Sequence, residues 1–253
     1  MLFEQVTRVE HADWSAGESK RWTARAVRRP DGRFLAEAPA PAEPPAALLA
    51  RLQIEAVQGG CVLSGFDFPI GLPLHYAHLT GVSDFLELLP RLGTGGWADF
   101  FHPAHSPEEI SRGRPFYPAR PGGALQLHLL ERLGAETMDQ LRRRCELAHA
   151  GRRAACPLFW TLGGQQVGKA AIAGWRELLA PALAAAAPAS LWPFSGRLET
   201  LLLPGRLVLA ECYPGEYYHQ LGVSFSRPRR GTRSGKRVQA ERRRSASALL
   251  AWA

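Results

Sequence analysis

Two apolar segments of strand length constrain the fold of this chain more than any other feature. Cys61–Phe66 is a short apolar run directly before Asp67, and residues 206–211 form a second run that ends in Glu211. Runs of this kind are typical of strands buried inside a sheet. Because helical sequence separates the two runs, we expect an α/β fold.

Three further strands and a helix are predicted before the first run. Residues 5–12 are strand-like, and residues 21–28 alternate between polar and apolar side chains. The turn signal Pro30-Asp31-Gly32 leads into a third strand at 33–38, which closes an antiparallel meander. Residues 46–58 carry leucines at helical spacing and end at two glycines, which predicts a helix.

The long segment at 68–205 is predicted to be mostly helical. We therefore interpret residues 1–253 as one domain in which 68–205 is a helical insertion between the fourth and fifth strands. Predicted helices lie at 83–92, 124–133, 136–150 and 165–179, and a last helix lies at 236–252.

Composition and cysteine usage favour a soluble, cytoplasmic protein. Hydrophobic residues make up 46% of the chain and charged residues 21%, which is ordinary for a globular domain. The longest apolar stretch, at 178–192, contains two prolines, so no contact with a membrane is expected. The four cysteines lack metal-ligand spacing and are predicted to be reduced thiols.

The positive charge is concentrated in one place, residues 227–244, which we call the basic segment. It holds nine basic residues and one acid, so its net charge is +8, the same as that of the whole chain. Such a block favours a polyanion partner, although a solvated loop leading into the last helix is the alternative. The candidate nucleic-acid-binding residues are Arg229, Arg230, Arg233, Lys236 and Arg237.

Three acids stand at the carboxyl ends of predicted strands: Asp13, Asp67 and Glu211. Each one alone has a structural explanation, such as a turn cap, backbone hydrogen bonds or pairing with an arginine. Together, buried carboxylates from separate strands would repel one another unless a cation offset them. Oxygen ligands suit Mg²⁺ or Mn²⁺, so the joint pattern favours a divalent-metal site.

Three segments resemble the signature blocks of a family of predicted nucleases known as domain of unknown function 429. They are Asp13-Trp14-Ser15-Ala16, Gly65-Phe66-Asp67-Phe68-Pro69-Ile70-Gly71-Leu72-Pro73 and Ala210-Glu211-Cys212-Tyr213-Pro214. The resemblance implies a ribonuclease H-like fold with a mixed five-stranded sheet, three antiparallel strands and then parallel ones, flanked by helices. It also implies a nuclease whose catalytic residues and ligands for Mg²⁺ or Mn²⁺ are Asp13, Asp67 and Glu211, and whose substrate is DNA or RNA.

Two alternatives stay open. Ribonuclease H-like folds usually place a further aspartate on the last helix, whereas the only acid beyond Glu216 here is Glu241. This difference favours a catalytically weak nucleic-acid-binding module. The spacing of Gly163, Gly168 and Lys169 matches a phosphate-binding loop and suggests a nucleotide-binding phosphotransferase or NTPase. Ala170, however, stands where such a loop needs a hydroxyl for Mg²⁺.

Overall fold

A computed structural model describes residues 3–149, 153–162, 167–187, 189–226 and 235–252. The chain forms two compact units, Met1–Cys212 and Tyr213–Ala253. The first unit is a mixed α/β structure with a seven-stranded sheet, which confirms the predicted α/β class. Within the described residues, no helix has both the length and the apolar character needed to cross a membrane.

The first four strands form the antiparallel part of the sheet. They are β1 (Val6–Asp13), β2 (Trp22–Arg28), β3 (Phe34–Ala36) and β4 (Ala40–Pro41). β2 pairs antiparallel with each of the other three. Helix α1 (Pro45–Gly59) follows, with proline at its first position, where the missing N–H costs no hydrogen bond.

Three parallel strands complete the sheet. They are β5 (Cys61–Phe66), β6 (Ser190–Trp192) and β7 (Leu207–Glu211). β5 pairs with β1 and with β7, and β7 pairs with β6, so the order is β3-β2-β1-β5-β7-β6 with β4 beside β2. The predicted number of five strands is therefore wrong. β4 and β6 have only two and three residues, too few to leave a hydrophobic period in the sequence.

The segment between β5 and β7 contains helices, turns and the strand β6. The helices are α2 (Leu74–Thr80), α3 (Phe85–Leu88), α4 (Gln126–Leu133), α5 (Val167–Gly174), α6 (Ala180–Ala184) and α7 (Leu198–Leu201). A π-helical stretch (Trp175–Leu179) joins α5 to α6. Short 3₁₀ turns of this segment lie at Leu89–Arg91, Gly95–Trp97, Pro107–Glu109 and Arg144–Glu146, and another at Glu18–Lys20 lies between β1 and β2.

The helix predicted at 136–150 is wrong. Its described part forms turns, with helical geometry only in the 3₁₀ turn Arg144–Glu146. The reason is that the Glu146 carboxylate accepts a hydrogen bond from the backbone N–H of Arg143, at 2.8 Å, while the Arg143 side chain donates to the carbonyl oxygen of Ile70, at 2.7 Å. These buried polar contacts replace the helical hydrogen bonds that the local sequence favours.

The main hydrophobic core lies on the face of the sheet that carries α1. It includes the rings of Trp14, Phe66 and Phe68, which contact one another with centroids 5.3–6.1 Å apart. The indole N–H of Trp175 donates to the carbonyl oxygen of Pro69 at 2.7 Å. The chain that leaves β5 is thereby anchored against the core, directly after Asp67.

The described residues of the second unit form the helices α8 (Pro214–Gln220) and α9 (Gln239–Trp252), with a 3₁₀ turn at Gly235–Arg237 before α9. The Glu241 carboxylate accepts hydrogen bonds from the backbone N–H of Ser226, at 2.8 Å, and from its hydroxyl, at 2.6 Å. These bonds fix the chain before the basic segment to the first turns of α9.

Candidate functional site

The three predicted site acids lie at one edge of the sheet. In the register of the parallel strands, Ala12 of β1 is paired with Phe66 of β5, and Phe66 is paired with Glu211 of β7. Asp13 and Asp67 each follow one of these paired residues. Because parallel strands end at the same edge, all three acids come from the carboxyl ends of neighbouring strands, where ligand sites of open α/β sheets collect.

Asp13 and Asp67 interact directly. Burial raises the pKa of Asp67 to about 7, and the negative charge of Asp13 and a hydrogen bond between the two carboxyl groups act in the same direction. The backbone N–H of Trp14 donates to Asp67 Oδ1 at 2.7 Å and acts in the opposite direction, because it stabilises the carboxylate. Asp67 therefore holds a proton below neutral pH, and a cation beside the two carboxyl groups is the alternative partner.

A histidine and a cysteine adjoin this pair. Burial lowers the pKa of His11, and the charge of Asp13 opposes that shift. Burial raises the pKa of the Cys212 thiol, and the charges of Asp67 and Glu211 raise it further. Near neutral pH, both neighbours are therefore expected to be uncharged, so neither supplies a positive charge to offset the acids.

Glu211 is held by an arginine that the sequence did not reveal as part of the site. Arg143 Nη2 donates to Glu211 Oε1 at 2.7 Å, and Arg143 Nη1 donates to Glu211 Oε2. The backbone N–H of Ile70 donates to the same Oε2 at 2.9 Å. One of the structural explanations considered for Glu211, pairing with an arginine, is thus present, and both of its carboxylate oxygens have partners.

Arg143 and Glu146 are both buried and form a second ion pair, at 2.8 Å. Burial acts to lower the pKa of Arg143, but the hydrogen bond and charge of Glu211 and the charge of Glu146 outweigh it, so that its pKa is raised. The sequence gave no signal for this arrangement, because an arginine and a glutamate three residues apart are usual on an exposed helix.

Of the three site acids, Asp13 and Asp67 have adjoining carboxyl groups that could share a divalent cation. Among the described residues, no group of three His, Cys, Asp or Glu side chains is arranged to hold a metal ion. Mg²⁺ is commonly bound through one or two carboxylates, with water and substrate phosphate completing its shell, and two adjacent carboxyl groups meet that requirement. Glu211 would join them only by releasing Arg143.

No family model, no curated protein and no solved structure matches this chain. The resemblance to predicted nucleases therefore rests on the three sequence segments around Asp13, Asp67 and Glu211. What the chain does has to follow from the chemistry of these side chains, since fold alone does not determine function.

The basic segment is described only in part. Arg229, Arg230 and Arg233 lie outside the described residues. Lys236 and Arg237 belong to the 3₁₀ turn before α9, and the Arg237 side chain is exposed. Three further arginines at the start of α9 are also exposed: Arg242, Arg243 and Arg244.

The glycine-rich segment at 163–168 has a packing explanation for Gly168. Residues 163–166 lie outside the described residues, and α5 begins at Val167, so Lys169 is in its first turn. A Cβ atom at Gly168 would lie 2.5 Å from the carbonyl oxygen of Leu158 and 3.2 Å from the ring of Phe116. Glycine is therefore required there by close packing, whether or not the loop binds phosphate.

Proposed function

We propose that this chain is a metal-dependent phosphodiesterase that acts on nucleic acid and has a ribonuclease H-like arrangement of strands. The observation that carries the proposal is the Asp13–Asp67 pair, two carboxyl groups in contact at the carboxyl ends of neighbouring parallel strands. Holding both as carboxylates at neutral pH is unfavourable without a positive charge, and a divalent cation supplies one.

A divalent cation held by Asp13 and Asp67 would supply Lewis-acid polarisation of a phosphoryl oxygen. The residues of the chain would orient the site. The Trp14 N–H fixes Asp67 Oδ1 at 2.7 Å, while Asp13 is exposed and accessible to a substrate. One carboxylate is thus held by the protein backbone, and the other faces solvent.

Two further features support a nucleic-acid substrate and this family of folds. An antiparallel group of strands followed by parallel strands is the sheet arrangement that the sequence resemblance implies. The basic segment concentrates nine positive charges, which suits the phosphate backbone of a nucleic acid. Phosphate contacts of this kind would position a strand without selecting its sequence.

A second candidate is a nucleic-acid-binding module with little or no hydrolytic activity. The observation that favours it is that Arg143 donates hydrogen bonds to both carboxylate oxygens of Glu211. Two of the three predicted metal ligands, Asp13 and Asp67, are then left to bind a metal. The basic segment would serve this function equally well. The two candidates differ in one property, metal-dependent cleavage.

The test is cleavage of end-labelled single-stranded and duplex DNA and RNA, with Mg²⁺ or Mn²⁺ and with EDTA. We expect cleavage only with metal, and a loss of at least about 100-fold in Asp13→Asn and in Asp67→Asn, because each removes a charged ligand. Asp99→Asn is the matched control, since the Asp99 side chain is 70% exposed and should leave the rate unchanged.

Salt-dependent binding without cleavage would favour the binding module instead. Cleavage that is equally fast in Asp67→Asn and in the wild-type protein would overturn the proposed site. The phosphotransferase alternative predicts a different result, namely ATP binding that is lost in Lys169→Ala.

A further inference from the structure

Arg143 uses every N–H of its guanidinium group within the first unit. Nε and Nη2 donate to Glu146 Oε1 at 3.0 and 2.8 Å. Nη1 donates to the carbonyl oxygen of Ile70 at 2.7 Å, and Nη1 and Nη2 each donate to one oxygen of Glu211. The Arg143 side chain is 7% exposed, so water cannot readily replace these bonds.

Ile70 couples Arg143 to Glu211 a second time. Its N–H donates to Glu211 Oε2 and its carbonyl oxygen accepts from Arg143 Nη1. The arginine, the glutamate and the chain after Asp67 therefore form one closed set of hydrogen bonds. Paired, charge-assisted bonds of this kind are among the strongest in proteins and fix the orientation of both groups.

We propose that Arg143 is a positioning residue that keeps the Glu211 carboxylate bound to its guanidinium group. The edge of the sheet formed by the carboxyl ends of β1, β5 and β7 then binds a single divalent cation, through Asp13 and Asp67. This inference rests on the proposed function, and it limits the three acids implied by the sequence resemblance to two ligands. Glu211 contributes to the site through its fixed position and not through coordination.

The alternative is that Glu211 releases Arg143 and coordinates the metal. That release would leave Arg143 with only Glu146 and Ile70 as partners in a buried environment, which is costly for a charge that cannot be lost by deprotonation. The five bonds of Arg143 thus favour a Glu211 that stays bound to it.

The test is titration with Mn²⁺, followed by the electron paramagnetic resonance signal of the free ion. We expect one Mn²⁺ per wild-type chain. Arg143→Met frees the Glu211 carboxylate, so we expect either a second Mn²⁺ or binding of the first at least about tenfold tighter, because ligand charge sets affinity. Arg142→Met, a neighbouring arginine whose side chain bonds Asp139 and Ala155, is the control and should behave as wild type.

The variant Arg143→Lys shows whether the positive charge beside Glu211 is enough to keep this carboxylate from binding the metal. Lysine keeps the positive charge beside Glu211 but cannot make the forked bonds, so we expect a lower melting temperature together with the wild-type stoichiometry of one Mn²⁺. A folded Arg143→Met variant with wild-type number and affinity of Mn²⁺ would overturn the inference.

Glu211→Gln and Asp67→Asn give a second test that does not depend on the folding of Arg143→Met. We expect Asp67→Asn to weaken Mn²⁺ binding at least about tenfold and Glu211→Gln to weaken it less than about threefold. Equal losses in the two variants would overturn this inference alone. A wild-type chain that binds no Mn²⁺ would overturn the proposed function as well.

Discussion

Asp67→Asn should stabilise the metal-free protein, and by an amount that depends on pH. The Asp67 carboxyl is buried beside Asp13, which raises its pKa from the ordinary value of 3.8 to about 7. Asparagine has nearly the same shape and carries no charge, and its side-chain oxygen can still accept the hydrogen bond from the Trp14 N–H.

The magnitude follows from proton linkage. Below pH 4, Asp67 is protonated in both the folded and the unfolded chain, so its raised pKa does not lower the free energy of unfolding. Between pH 4 and pH 7 the unfolded chain loses this proton first, so the wild-type protein loses about 1.4 kcal/mol of stability per pH unit. The loss is complete above pH 7 and reaches at most about 4 kcal/mol.

The assay is urea unfolding of wild type and Asp67→Asn at pH 4, 6 and 8, in EDTA. We expect the difference in free energy of unfolding to be near zero at pH 4 and to reach up to about 4 kcal/mol in favour of the variant at pH 8. Asp99→Asn, at an exposed position, should show no pH-dependent difference. If the difference in free energy of unfolding between Asp67→Asn and wild type is constant with pH, or grows as pH falls, the raised pKa of Asp67 is refuted as its cause.

Two further predictions concern packing and charge. Gly174→Ala should destabilise the protein by about 1–3 kcal/mol in urea unfolding, because its Cβ would lie 2.4 Å from the buried ring of Phe68, whereas Gly59→Ala, with nothing within 4 Å, should stay within about 0.5 kcal/mol. In anisotropy titrations, the slope of log affinity against log salt should flatten by about two to three units when three arginines of the basic segment are replaced by alanine, and an unchanged slope would remove the segment from the nucleic-acid interface. The three are Arg229, Arg230 and Arg233.

The central strands could be predicted from sequence because their signals are local. β5 has the predicted bounds, and β1, β2 and β7 begin or end within one residue of the prediction. An apolar run or an alternating pattern indicates that a strand is buried, and the pattern is visible without knowing which distant elements cover the strand. β6 gave no such signal, since three residues after an alanine-rich stretch show no period.

Of the candidate site, the sequence predicted only the residues at the ends of strands. Asp13, Asp67 and Glu211 were singled out because three acids at the ends of separate strands together indicate a shared site, although each one alone has a structural explanation. Arg143 was missed because its partner Glu211 lies 68 residues further along the chain, and the local pattern at 136–150 favours a helix. Long-range ion pairs of this kind leave no spacing that a sequence can reveal.

The most direct test of the proposed metal site is the position of Mn²⁺ in crystals of the wild-type protein, located by anomalous scattering. We expect one peak, within coordination distance of the Asp13 and Asp67 carboxylates, with Glu211 still bonded to Arg143. No peak at this pair at millimolar Mn²⁺, or a peak coordinated by Glu211 with Arg143 displaced, would contradict this expectation.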